Sequence, residues 1–440
     1  MPKIRSSVVQ YFHRQLGNFT IKELSKETST ALAEYLLHWG IWHLLVLERK
    51  KEAQYLLLNL DLLEKMLSNR VDWINIYRWW DSLGGEEAAM GYIAVVKESL
   101  LQLPDEKFLI QCSNVLTLAK DAFWIRLGKE IGELLFQVHS ESSSPIWLKI
   151  LGSLSVIYWD MGEDDKAENM MLAALKKSQL LHGKHHVAVM SLHNDLGCLY
   201  RHSKQYMKAE KHLKLALKYR ILKLGENHPE TLRSMNDYGY LLQSTKQYKK
   251  ADSFYKRALN GREKILGFKH PDTAISLGNL ATLFMDMGDL EKSDFYYQKA
   301  LSSIWESMGR DHILSLTIEN AYGVLLCKKQ DYQKSLEYIA RVYTKLKDKY
   351  GSSNPETLWC ARGLSELYEK MERLADSKQL LSDSLKSACE RYEDSNNEVL
   401  NIVEALVAFH CRCNDTAQVN ELLNRFEQYD PQRFKIYSQN

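Results

Sequence analysis

LGENHPETL, residues 224–232, returns as LGFKHPDTA at residues 266–274. The two His-Pro pairs, His228-Pro229 and His270-Pro271, stand 42 residues apart, and the same step lands on Ser144-Pro145, His186-Val187, His312-Ile313, Asn354-Pro355 and Asn396-Asn397. Seven units thus share one register without an insertion, over residues 144–430. A repeat of this kind decides the whole fold, because each unit stacks on its neighbours.

Other columns keep the same step. Gly183, Gly225, Gly267, Gly309 and Gly351 precede the His/Asn column by three residues. Glycine suits the left-handed backbone that ends a helix, and Lys218, Arg220 and Lys223 before it favour a helix carboxyl end. His or Asn then caps the next helix, and proline at its first position costs no hydrogen bond. Small residues recur in each first helix (Ser155, Gly197, Gly239, Ala281, Gly323, Ser365) and early in each second helix (Ala167, Ala209, Ala251, Ser293, Ser335, Ser377). They let two antiparallel helices approach closely, while Tyr158, Tyr200, Leu242, Phe284, Leu326 and Tyr368 fill the space between neighbouring units. No unit buries its apolar face alone, so stacking is what stabilises the array.

Within each unit, a bulky residue precedes a small one (Leu196-Gly197, Tyr238-Gly239), Tyr206, Tyr248 and Tyr332 open second helices, and Ala-Leu closes them (Ala216-Leu217, Ala258-Leu259, Ala300-Leu301). These residues resemble the tetratricopeptide repeat, whose usual period is 34. The 42-residue form with Leu-Gly-x-x-His-Pro linkers looks like the repeats of kinesin light chains and nephrocystin-3-type proteins. The resemblance implies an all-α, right-handed superhelical solenoid of antiparallel helix pairs, preceded by a smaller helical domain. The expected division is a helical amino-terminal domain or cap at 1–143, seven repeats at 144–430 and a tail at 431–440. The outermost units are the least regular and are expected to act as caps.

The first 143 residues lack the register yet read as helical: Leu24, Ala31, Leu32, Tyr35, Leu36 and Trp39 follow a 3.6-residue period. Gln54–Met66 and Ala88–Leu101 are expected as two further helices, separated by Leu83-Gly84-Gly85. Trp39, Trp42, Trp73, Trp79 and Trp80 crowd this part. The stretch from Tyr11-Phe12-His13-Arg14 through Arg49-Lys-Lys-Glu-Ala-Gln-Tyr-Leu weakly resembles the helical connector of signalling (STAND-type) ATPases with repeat tails. That resemblance makes a sensor tail of a nucleotide-driven switch, acting in cis or in trans, the alternative function. A plain helical cap explains the same residues equally well.

Composition excludes several classes. Hydrophobic residues are 45% and charged residues 26% of 440, with only 7 Pro and 21 Gly, an ordinary composition for a helical globular chain. A net charge of +2 gives no field for nucleic acid. The longest apolar runs, such as Leu44–Leu47, are far too short for membrane insertion. Seven cysteines (Cys112, Cys198, Cys327, Cys360, Cys389, Cys411, Cys413) show no framework spacing, which fits a reduced chain. Cytoplasm is the expected location, with cilium or cytoskeleton implied by the family resemblance. Asn18-Phe-Thr20 and Asn414-Asp-Thr416 match the glycosylation pattern, which matters only in secreted chains.

No phosphate loop, dinucleotide fingerprint or His-Glu-x-x-His occurs. Cys411 and Cys413 are two apart and point to different helix faces. His182, His185 and His186 cluster without cysteine partners, and His186 belongs to the capping column. No catalysis, metal or cofactor is expected.

In tetratricopeptide arrays the first helices line an inner groove, and the resemblance places this face five, eight, twelve and fifteen residues after the His/Asn column. The eighth position holds Asn194, Asn236 and Asn320, whose amides both donate and accept and so match any peptide unit. Arg201, Arg233, Tyr240 and Gln243 join them in the second and third units, and Trp359 and Arg362 later on. The earlier half reads as basic with an aromatic. The expected function is a protein-binding scaffold or adaptor whose groove takes extended peptide segments with acidic and aromatic residues. Cys198 and Cys327 share this face as small apolar fillers. Ordinary solvated helix surface is the plainer reading of the same polar positions, and self-association through the caps a purely structural one.

Overall fold

The computed structural model describes residues 31–68, 73–101, 105–121, 124–139 and 144–437. Leu24 and the Tyr11–Arg14 stretch lie outside them. Only helices occur among the described residues. The chain packs as two compact units. One takes the described residues up to Ile157 together with Lys176–Leu181, and the other takes Tyr158–Leu175 and the residues from His182 onward.

The first unit is built on α1 (Ala31–Val46), α2 (Lys50–Leu57), α3 (Leu60–Ser68), α4 (Trp73–Leu83), α5 (Glu86–Ala89), α6 (Gly91–Leu100), α7 (Glu106–Asp121) and α8 (Ile125–His139). The expected helix Gln54–Met66 is two helices. Asn59 breaks it, because its side chain accepts from the Leu62 amide at 2.9 Å and caps the next helix. Trp79, Trp80 and Trp124 are core, whereas Trp42 is half-buried and Trp39 is exposed. Trp80 packs edge-on to Trp124 at 6.2 Å and beside Tyr92 at 5.6 Å, and burying such rings dominates the stability of a small helical unit.

The helix pairs begin with α9 (Pro145–Asp160) and α10 (Asp164–His182), through which the division between units runs. Then come α11 (Val187–His202) and α12 (Tyr206–Leu224), α13 (Pro229–Ser244) and α14 (Tyr248–Ile265), α15 (Pro271–Asp286) and α16 (Leu290–Met308). The last are α17 (Ile313–Lys328) and α18 (Tyr332–Tyr350), α19 (Pro355–Lys370) and α20 (Leu374–Arg391), α21 (Asn397–Arg412) and α22 (Thr416–Phe426), with the short α23 (Pro431–Phe434) after them.

The columns work as the repeat implies. His186, His228, His270 and His312 each accept, through Nδ1, from the backbone N–H two residues on, at 3.2–3.3 Å. Asn354 and Asn396 do the same through Oδ1, at 3.0 and 2.8 Å. Gly197 is needed because a Cβ there would stand 2.5 Å from Leu213 Cγ on the facing helix. Arg220 departs from expectation. Instead of sitting at a solvated helix end, it is buried and donates to Ser234 Oγ (2.7 Å), Ser191 Oγ (2.9 Å), and the carbonyl and carboxylate of Glu230 (3.0 and 2.7 Å). It is a clamp between pairs, and Arg262, one period later, repeats it on Asp272 O (2.9 Å) and Ser276 Oγ (2.8 Å).

Candidate functional site

The first helix of each pair carries the expected groove positions, and the structure sorts them by exposure. Asn194 (0% exposed), Asn320 (1%) and Asn236 (6%) lie beneath the surface. Asn194 donates to Asp237 Oδ2 at 2.7 Å and accepts from Ser234 at 2.7 Å, which ties α11 to α13. Asn320 accepts from the Cys360 thiol at 3.2 Å, tying α17 to α19. The ladder thus joins neighbouring pairs: spaced one period apart and facing inward, these amides meet the next pair before they meet solvent. Asn236 differs, since its buried Oδ1 has no partner. Gln243 is buried as well, donating to Asp286 at 2.7 Å and accepting from Tyr255 at 2.9 Å.

The exposed set is smaller. Tyr240 is 43% and Trp359 39% exposed. The Arg201 guanidinium stacks on the Tyr240 ring, 3.8 Å from its centroid. Such a stack holds the fork in place and leaves its edge for an acceptor. Its buried Nε has none, and neither has that of Arg362.

The earlier half of this face is not basic. Arg233 pairs with Asp195 at 3.0 Å and lies 3.8 Å from Asp237. The nearby carboxylates, Asp195 foremost, hold the Arg233 guanidinium more firmly charged than usual. The two arginines are therefore offset by two aspartates that follow the asparagine column directly. Asp195 and Asp237 are one period apart, so the signal was in the register, but only the columns expected to face the groove were read.

Within the second unit, the α9–α10 turn meets the start of α21. Asn396, at the start of α21, donates its amide to the Gly162 carbonyl in the α9–α10 turn. The Tyr392 ring covers Gly162 so closely that a Cβ there would lie 3.0 Å from Tyr392 Cε1. Asn397 reaches Asp164 at 3.4 Å. His202, ending α11, stands between Asp164 (3.7 Å) and Glu398 (3.8 Å), and Asp164, with further help from Glu398, raises its pKa. Burial raises the pKa of Glu398 and, with Glu398 adding repulsion, pushes Glu356 up to about 7. His202, Glu356 and Glu398 were not singled out from the sequence. Their meeting depends on the curvature of the whole array, which no single period displays.

The described residues hold no group of His, Cys, Asp and Glu placed to bind a metal ion. Among them no helix is long and apolar enough to cross a membrane.

Two family models, both described as tetratricopeptide repeat, match this chain. One covers residues 148–221, 189–264 and 314–390, the other residues 274–303. No curated protein sequence matches it. Among solved structures, a Rap protein complexed with competence and sporulation factor is 13% identical with a TM-score of 0.52, over 80% of this chain and 97% of its own. The apo form of the quorum sensor NprR from B. thuringiensis is 13% identical with a TM-score of 0.50, over 81% and 96%. The nearly identical TPR-like repeats of kinesin-light-chain type from Podosopora anserina are 16% identical with a TM-score of 0.38, over 47% and 99%. At such identities the first two likenesses speak to the fold, and the third aligns too loosely to add to it.

Proposed function

We propose that the chain, which belongs to the tetratricopeptide-repeat proteins, is a non-enzymatic binding scaffold that holds an extended segment of another protein along the first-helix face of its second unit. The observation that carries this reading is the Arg201–Tyr240 stack: a guanidinium held in place on a partly exposed ring. A carboxylate of a ligand matches the fork of a guanidinium held in this way, and Tyr240 offers the ligand an apolar flank. Trp359 and Arg362, three residues apart on α19, pair an exposed aromatic ring with a second guanidinium. The ligand is thus a segment that spaces acidic and aromatic residues along an extended backbone. The buried asparagines hold the pairs in register beneath it.

A phage-displayed random-peptide selection tests this. The expected outcome is enrichment of peptides carrying Asp or Glu beside an aromatic residue. Arg201→Ala should then weaken the selected peptides by about 1.5–3 kcal/mol, the usual worth of a hydrogen bond to a charged group, while circular dichroism stays unchanged. Failure to enrich any peptide, or selected peptides that bind Arg201→Ala and Arg362→Ala as well as the parent, would overturn the reading.

A further inference from the structure

Consecutive helix pairs of the second unit are joined by buried side chains, either arginine clamps such as Arg220 on Ser234 or apolar contacts such as Ile318 against Gly278 and the Tyr297 ring 6.0 Å from that of Tyr322. The join between the α9–α10 turn and the last pair is of another kind. Of the contacts described there, one is a hydrogen bond to a backbone carbonyl, one is a longer amide–carboxylate contact, and one is a histidine between two carboxylates at 3.7 and 3.8 Å. One ring lies on one glycine there, and Lys204 stands near Glu404 and Asp430 across the same join. Polar contacts of this sort each contribute little, because water replaces them readily. Apolar burial between consecutive pairs has no such substitute.

The closure has a topological consequence. Once the α9–α10 turn touches the last pair, the helix pairs of the second unit between them form a closed circuit of contacts. A segment whose two ends continue into folded protein cannot thread such a ring. It enters only if the ring parts, and the ring parts where it is weakest.

We propose that the contact of Gly162 and Asp164 with Asn396, Asn397 and Glu398, bridged by His202, is a gate: it opens to admit an internal segment of a partner chain and closes around it. This rests on the binding function proposed above. Its occupant is an extended internal segment, not a free peptide terminus. Asn396 is the cleanest handle, because it does two separable things. Its Oδ1 caps α21 through the Glu398 amide, and its Nδ2 donates across the closure. Asn396→Asp keeps the cap, since Asp is an equally good cap residue, and removes the donor.

The gate is tested first without ligand. Cys327, Cys389, Cys411 and Cys413 are replaced by serine, and nitroxide labels are placed beside the contact, through Asp165→Cys and Ser395→Cys, both exposed. Pulsed electron resonance should show a short distance and a second, longer population. Adding Asn396→Asp, or adding salt, should enlarge the longer one. A single short distance that neither change moves overturns the gate, whatever any peptide does.

Cross-linking the same two cysteines with a short bismaleimide provides the second test. The probe is an alternating Glu-Tyr peptide, used with free ends and, separately, inserted as a surface loop of a folded carrier. The cross-link should abolish binding of the inserted form and leave the free-ended form bound. Asn396→Asp should tighten the inserted form, because apparent affinity scales with the fraction of open protein. Undiminished binding of the inserted form to cross-linked protein overturns the gate. If neither form binds the open protein, the groove reading falls, and the label distances still decide the gate.

Discussion

The earlier and later helix pairs of the second unit solve one packing problem in two ways. Between the second, third and fourth pairs the junction is polar: Arg220 clamps Ser234, and Arg262 clamps Ser276. One and two periods later the arginine column holds Ile304 and Leu346, and the serine column holds Ile318 and Cys360, all buried. The capping column changes in step. His186 and His228 are exposed, whereas His312 is 2% exposed. A backbone repeat therefore fixes where a junction lies but not which chemistry fills it. The polar version needs directional partners, and even so leaves the Nε of Arg220 and Arg262 unpaired, while the apolar version needs only shape. The Arg201–Tyr240 stack sits in the polar half, where the elements beneath it are held by directional bonds.

The sharpest way to break the comparison is to remove one clamp. Arg262→Ala leaves Ser276 Oγ and the Asp272 carbonyl without their buried donor, and should cost about 3–5 kcal/mol. Arg262→Ile with Ser276→Ile copies the Ile304/Ile318 columns and should regain most of that loss, since replacing both polar partners by apolar ones is close to neutral. Urea denaturation of the two variants decides it. If the double variant is no better than the single one, the halves are not interchangeable solutions.

The buried cap gives the next effect. Burial holds the His312 pKa at about 3, well below its ordinary value, so the unfolded chain binds a proton that the folded chain refuses. Between that value and the ordinary one near 6.5, stability must therefore fall as pH falls. His312→Asn keeps the cap, as Asn354 shows one period later, and removes the titration. At pH 5 the variant should be the more stable by up to about 2 kcal/mol, with little difference at pH 8. Thermal melts at the two pH values measure this, and an unchanged pH dependence would mean that His312 accepts its proton in place.

Much of this was legible in the residues. Period, caps and close-packing glycines are local, and a 42-residue step exposes them. The buried arginines could also have been read, since Arg220 and Arg262 keep the step together with Ser234 and Ser276. Arg220 reads as a helix-end charge because it lies near Gly225, and a charge so close to a terminus gives no local sign of burial. The asparagine ladder was placed on the right helices at the wrong depth, because its partners Asp237 and Ser234 come from the next pair. The closing contacts were out of reach: residues 162 and 396 meet only when the small rotations of all intervening pairs add up.

One column stayed hidden for a different reason, and it supplies the smallest effect. The turn inside each pair places Gly162, Lys204, Lys246, Gly288, Gln330, Glu372 and Asn414 at positive φ, between 56° and 76° except for 83° at Gly288. Only two of these positions are glycine, so no residue type marks the column. Side chains there cost roughly 1 kcal/mol or more, which glycine avoids. Glycine repays part of that through the greater freedom of its unfolded chain. Gln330→Gly should therefore raise stability by less than about 1 kcal/mol. Lys204→Gly should gain less, because Lys204 lies near Arg433, Glu404, Asp430 and Arg362 across the closure and its loss alters that balance. If the two substitutions prove equal in calorimetry, the turn column acts through backbone strain alone. If Lys204→Gly lags, the turn of the second pair is also part of the wall that the last pair closes against.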